Sequence, residues 1–183
     1  MKKTTCAIIL LFLVGCSSVP LSSMFKIANL DTNDILAINP AEVKVRLSVS
    51  DPVELKTENV RLALKFDHYD GSQSEYLYLL EIVDVSLIDP ISSWFSSQPL
   101  KHAYQFKLGK LSQLEFNKYQ LEYAKQGKPK RYHWSVFYSL KPTSGDSDFN
   151  HNPINEMTID MELKLSNQED YFFLLKSAPI KIN

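Results

Sequence analysis

Apolar and polar residues alternate along five stretches of this chain. Val43, Val45, Leu47 and Val49 alternate with Lys44, Arg46 and Ser48, and Val60, Leu62, Leu64 and Phe66 with Arg61, Ala63 and Lys65. His102, Tyr104, Phe106 and Leu108 form a weaker row. Tyr132, Trp134, Val136, Tyr138 and Leu140 make a fourth, and Met157, Ile159, Met161, Leu163 and Leu165 a fifth. A period of two places each set on one side of an extended strand, so these are strands with one wet face. Residues 75–87 are apolar on both sides, with Tyr76, Tyr78, Leu80 and Ile82 on one and Leu77, Leu79, Val83 and Val85 on the other. Such a strand is expected to be covered on both faces, as a central strand, or to bend between sheets at a bulge. Tyr171 to Ile182 reads as a last strand, interrupted near Ala178-Pro179.

About seven strands is a number typical of a sandwich. The fold class expected is mainly β: an antiparallel β-sandwich, immunoglobulin-like in the broad sense, with one inserted helix over about 111–126. The alternative is an α+β domain in which that helix covers one sheet. Ser112 and Glu115 have capping-box spacing, with Leu111 and Phe116 at the staple positions around them. Gly127 and Pro129 mark the helix end. Phe116, Tyr119 and Tyr123 form one stripe of the helix, and Leu114 and Leu121 a second, which packs under a loop or meets a partner.

The chain opens differently. Lys2 and Lys3 precede an apolar run from Cys6 to Val14, which is shorter than the roughly 20 residues a bilayer requires. A basic start and a short apolar centre are the pattern of a secretory signal. Leu13-Val14-Gly15-Cys16 resembles the lipobox of bacterial lipoproteins. That resemblance implies cleavage between Gly15 and Cys16 and palmitate-type acyl chains on Cys16. Ser17 then implies sorting to the outer membrane, periplasmic face, with the inner membrane as the alternative. The expected organisation is a removed signal over 1–15, a lipidated N-terminus and short tether over 16–30, and one globular domain over 31–183. A single acyl chain binds a membrane marginally, whereas two or more hold stably.

Removal of the signal would leave 18 Lys and Arg against 21 Asp and Glu, a net charge of −3, which argues against a nucleic-acid partner. Cys6 would leave and Cys16 would be lipidated, so the body would have no disulfide and must rest on its hydrophobic core.

The candidate chemistry is sparse. Asp146, Asp148 and Asn150 imitate the first half of a calcium loop, but His151 and Met157 occupy the positions of its glycine and bidentate glutamate, so a solvated turn is expected and no metal. Lys125, Lys128, Lys130 and Arg131 suit a helix C-terminus. His68, His102, His133 and His151 share no ligand spacing. Ser23-Met24-Phe25-Lys26 matches S-x-x-K without its partner motifs. With no catalytic motif, neither an enzyme nor a cofactor is expected. Trp94-Phe95, in a Ser- and Pro-rich stretch, is the best candidate partner contact, beside Leu114 and Leu121. The function expected is a non-catalytic interaction or assembly module that binds an envelope protein. The alternative is a carrier of a small or lipidic ligand held between the sheets by residues such as Tyr76, Tyr78, Trp134, Met157 and Met161.

Overall fold

A computed structural model describes residues 18–93, 96–143 and 157–180. Among the described residues there are nine strands: β1 (Lys44–Ser50), β2 (Val53–Asp67), β3 (Gln73–Ile88), β4 (Ile91–Ser93), β5 (Ser96–Gln98), β6 (Lys101–Leu108), β7 (Arg131–Pro142), β8 (Thr158–Lys164) and β9 (Phe172–Pro179). Seven of them form one antiparallel sheet in the order β7-β2-β3-β6-β1-β8-β9, with β4-β5 as a separate pair. The fold is mainly β, a sandwich-like sheet nearly closed into a barrel, as the alternation predicts.

β3 is the hinge of this architecture. Its first half pairs with β2, from Gln73 opposite Asp67 to Leu79 opposite Arg61. Its second half pairs with β6, from Leu80 opposite Leu108 to Ile88 opposite Lys101, and the register shifts between Ile82 and Asp84. The bulge expected within 75–87 is therefore present, and it lets one strand serve both halves of the sheet.

The inner faces of the two halves meet. Val45, Leu47 and Val49 of β1, Phe106 and Leu108 of β6, and Ile159, Met161 and Leu163 of β8 pack against Leu55, Leu62, Leu64 and Phe66 of β2 in one buried cluster. The Tyr104 hydroxyl of β6 accepts a hydrogen bond from the Leu55 backbone N–H of β2 at 3.2 Å, a direct link across the interior. Each large side chain so buried contributes about 1.5–3 kcal/mol before the entropy of ordering it is counted.

Three helices accompany the strands among the described residues: α1 (Leu21–Asn29), α2 (Thr32–Ala37) and α3 (Lys110–Gln126). The inserted helix is α3, and its Phe116, Tyr119 and Tyr123 are buried as their stripe predicts. They join Phe66, Tyr76 and Tyr78 in an aromatic cluster, with Phe66 stacked on Tyr119 at 4.9 Å between centroids. Gly127 stops the helix at a positive φ of 79°, its N–H donating to the Tyr123 carbonyl.

The helix start differs from expectation. Gly109 is the N-cap and no side chain caps it. Ser112 is buried one turn in, and its hydroxyl donates to the Leu79 carbonyl of β3. A buried strand carbonyl outcompetes the local capping box, so the serine fastens the helix to the sheet; Leu111, expected as a staple, is exposed.

α1 and α2 lie where a tether and turns were expected. Asp31 and Asp34 form the capping box of α2, each carboxylate accepting from the other's backbone N–H at 2.9 Å. The Gln120 side chain of α3 then donates to the Ile35 and Ile38 carbonyls, closing off the end of α2.

Candidate functional site

The handover at β3 has a geometric consequence. Continued past Arg61–Leu79, the β2–β3 register would set Leu55 opposite Val85. The ladder does not continue. Against β7, β2 spends the residues between Lys56 and Arg61 on a bulge that spans only Tyr138, with Asn59 at a φ of 64°. Asparagine tolerates that left-handed conformation better than most residues, and the bulge turns the first half of β2 away from β3.

A cleft of about 430 Å³ lies where the two strands part, lined by Leu55, Lys56 and Glu58 on one side and Val85, His102 and Tyr104 on the other. Lys141 of β7 pairs with Glu54 at 3.2 Å on its rim. His102 Nε2 lies 3.6 Å from Asp51 Oδ1. Burial raises the Tyr104 phenol above its ordinary pKa, partly offset by its hydrogen bond from Leu55. The mouth of the cleft is polar, while its β3 wall is apolar.

From Leu80 to Ile88, β3 thus keeps β6 on one side and has an open edge on the other. Leu80 is still buried in the core, but from Glu81 onward the side chains are exposed on both faces: Ile82, Val83 and Ile88 are well exposed, Val85 is 54% exposed and Leu87 61%. Cover on both faces was expected for this apolar segment. Beyond Leu80 it is exposed on both, because β2 leaves and, among the described residues, no helix takes its place. The covering helix lies against the first half of β3, where Tyr76 donates to Glu122 at 2.8 Å.

The same hairpin runs on through β4 and β5. Ile88 is opposite Lys101 and Ile91 opposite Gln98, one continuous register. Trp94 and Phe95 separate Ser93 from Ser96 in sequence and lie outside the described residues, as do Gly15, Cys16, Ser17, Asp146, Asp148 and Asn150. Leu114 and Leu121 are exposed on α3, so the second stripe of that helix is not packed under a loop.

The three histidines among the described residues are dispersed. His68 meets Ser74 at 2.9 Å, His102 approaches Asp51, and His133 bonds Asp67 at 3.1 Å. That last bond is the main reason the Asp67 carboxyl is held below its ordinary pKa. Among the described residues, no three acid, histidine or cysteine side chains are grouped to hold a metal ion. Tyr78, Met157 and Met161, expected around a ligand, are buried in the core, and Tyr76 and Trp134 pack against it. Ser23 is buried in α1, whereas Lys26 pairs with Glu169 at 2.6 Å.

Sequence reasoning found the apolar character of β3 but missed its open edge. The available signal was the run Thr57-Glu58-Asn59, polar residues interrupting the alternation just where the ladder opens. No helix among the described residues is long and apolar enough to cross a membrane. No known family, curated protein or solved structure matches this chain.

Proposed function

We propose that this chain is a lipid-anchored envelope protein that acts without catalysis, facing the periplasm from the outer membrane and capturing a partner protein by adding one of its extended segments to the open edge of β3. The carrying observation is that edge. Between Glu81 and Ile88 it presents backbone unpaired among the described residues and exposed branched side chains, and Glu81 and Asp84 are its only charges. Proteins that need to stay unpaired blunt such edges with lysine, proline, bulges or a covering loop; this edge has no lysine or proline, and its one bulge lies between Ile82 and Asp84. Strand addition would draw affinity from main-chain hydrogen bonds and specificity from alternate side chains such as Val83, Val85 and Leu87. Trp94 and Phe95 follow Ser93 in sequence and are assigned to the partner contact with it. The lipid anchor rests on Lys2, Lys3 and the Leu13-Val14-Gly15-Cys16 motif.

Photo-crosslinking residues placed at Val83 and Leu87 in cells test the reading. The expected result is one adduct of the same mass from both positions, reduced by Val85→Lys and by Trp94→Ala with Phe95→Ala. No adduct from either position, in protein that is folded and membrane-associated, would overturn it.

A further inference from the structure

α1 wears its amphipathicity reversed. On the helix wheel Leu21, Met24, Phe25 and Ala28 share one side, with Ser23, Ile27 and Leu30 on the other. Ser23 is buried, and Ile27 and Leu30 pack against the core. The side with the larger apolar residues faces outward, with Leu21 70% and Phe25 67% exposed and Met24 beside them. A helix that needed only water on that side would carry polar residues there.

The chain's own geometry says what covers this face. The Ser18 carbonyl accepts a hydrogen bond from the Lys176 backbone N–H of β9 at 2.6 Å, so the fold holds the backbone two residues after Cys16. Lys26 pairs with Glu169 and lies over the Phe172 ring, fastening α1 to the same edge. Two peptide units span at most about 7 Å. An acyl-bearing Cys16 therefore leaves the body no stand-off from its membrane, and α1 begins three residues after the fixed Ser18.

From this we infer that α1 lies on the phospholipid surface, with Leu21, Met24 and Phe25 immersed at the headgroup–acyl boundary, where interfacial helices bury their apolar faces about 5–10 Å deep. The inference rests on the lipid-anchor reading and adds to it. The anchor sets the distance, and α1 sets the orientation in which the domain presents its β3 edge.

The test uses the full chain, processed by a bacterial host and reconstituted into phosphatidylethanolamine–phosphatidylglycerol vesicles. With Cys6 removed and Cys16 acylated, Met24→Cys offers a single thiol for an environment-sensitive fluorophore, and Leu114→Cys on α3 is the reference. The expected result is a blue-shifted Met24 probe, quenched by shallow spin-labelled lipids at least about twofold more than the Leu114 probe. Leu21→Ser with Phe25→Ser should abolish that difference. Intact mass reports the anchor separately. Acylated Cys16 with equal quenching at both sites overturns this inference alone. A blue shift without lipid quenching assigns the face to a second copy or another protein and also overturns it. An unacylated Cys16 overturns both the inference and the anchor beneath it.

Discussion

β1 and the second half of β3 are both rich in branched apolar residues, and both pair with β6 in the same half of the sheet. Their surroundings are opposite. β1 lies between β6 and β8, and Val45, Leu47 and Val49 are wholly buried under the facing half. Among the described residues, the second half of β3 pairs on one side only, and from Glu81 to Ile88 its side chains are exposed on both faces. The first half of the same strand, under α3, buries Tyr78 completely. Apolar content therefore does not decide burial here. What decides it is whether a distant segment arrives to cover the strand, and the bulge in β2 withdraws the segment that would have done so. A strand left this way stays exposed, whereas its sister serves as core.

The largest effect expected from breaking this comparison is in β1. Leu47→Ala should cost about 3 kcal/mol in denaturant unfolding, the sum of lost transfer energy and the cavity left among rigid neighbours. A cost below about 1 kcal/mol would show that β1 is no better covered than β3.

Next is the base of the β3–β6 hairpin. Lys101 is buried, and its ammonium meets Asp160 of β8 at 2.6 Å across β1. Asp160→Ala would strand that cation and free the Ser177 N–H, which donates to the other carboxylate oxygen at 2.6 Å. The expected loss is about 2 kcal/mol, less than for a fully buried pair, and Lys101→Met in the same chain should recover part of it.

The covered half of β3 has an alkaline signature. Burial, with the hydrogen bond to Glu122, pushes the Tyr76 phenol up to about 12. Burial raises Tyr78, Tyr119 and Tyr132 further still. Unfolded tyrosines titrate near 10. Above that pH the unfolded chain releases protons that the folded chain retains, so folding is progressively disfavoured. The contribution of these phenols should be constant below about pH 10, fall as pH rises through 10 to 12, and continue falling as the more deeply buried phenols are drawn in. Tyr78→Phe with Tyr119→Phe should make that fall shallower in circular-dichroism titrations; an unchanged profile would place the sensitivity elsewhere.

The smallest stability effect is expected on the open edge. Leu87→Ala and Val85→Lys should each change unfolding free energy by under about 0.5 kcal/mol, since neither side chain is packed. Val85→Lys should nevertheless remove the crosslinked adduct. A large stability loss from either substitution would mean that the edge is covered and the contrast with β1 is false.

The strands were legible because alternation is a local pattern with a direct physical meaning. Ile159, Met161 and Leu163 are apolar at every second position and buried at every second position. Gly127 and the Phe116–Tyr119–Tyr123 stripe were legible for the same reason. Ser112 misled because two hydrogen-bonding opportunities compete for it, and only one of them is nearby in sequence. The capping box of α2 was overlooked because Asp31, Asn33 and Asp34 serve equally well as turn residues until Ile35 has a core to enter. Of the candidate site, the apolar run of β3 was visible, while the cleft beside it was not, since Leu55 and Val85 lie thirty positions apart.

By itself, the sequence determined the periodicities: which residues extend, which side of α3 is aromatic, and where that helix stops. It also carried the Leu13-Val14-Gly15-Cys16 run on which the anchor proposal rests, and no tertiary contact produces that run. Only the tertiary structure decided which apolar surfaces stay uncovered, among them the second half of β3 beyond Leu80, the outer face of α1 and the Leu114–Leu121 stripe of α3. The reason is that a pattern of one and two residues records the shape of a single element, whereas cover is a relation between elements far apart in the chain. β3 lost its cover to a bulge in β2, and α1 turned its apolar side outward because β9 and the core had already taken Ser23, Ile27 and Leu30.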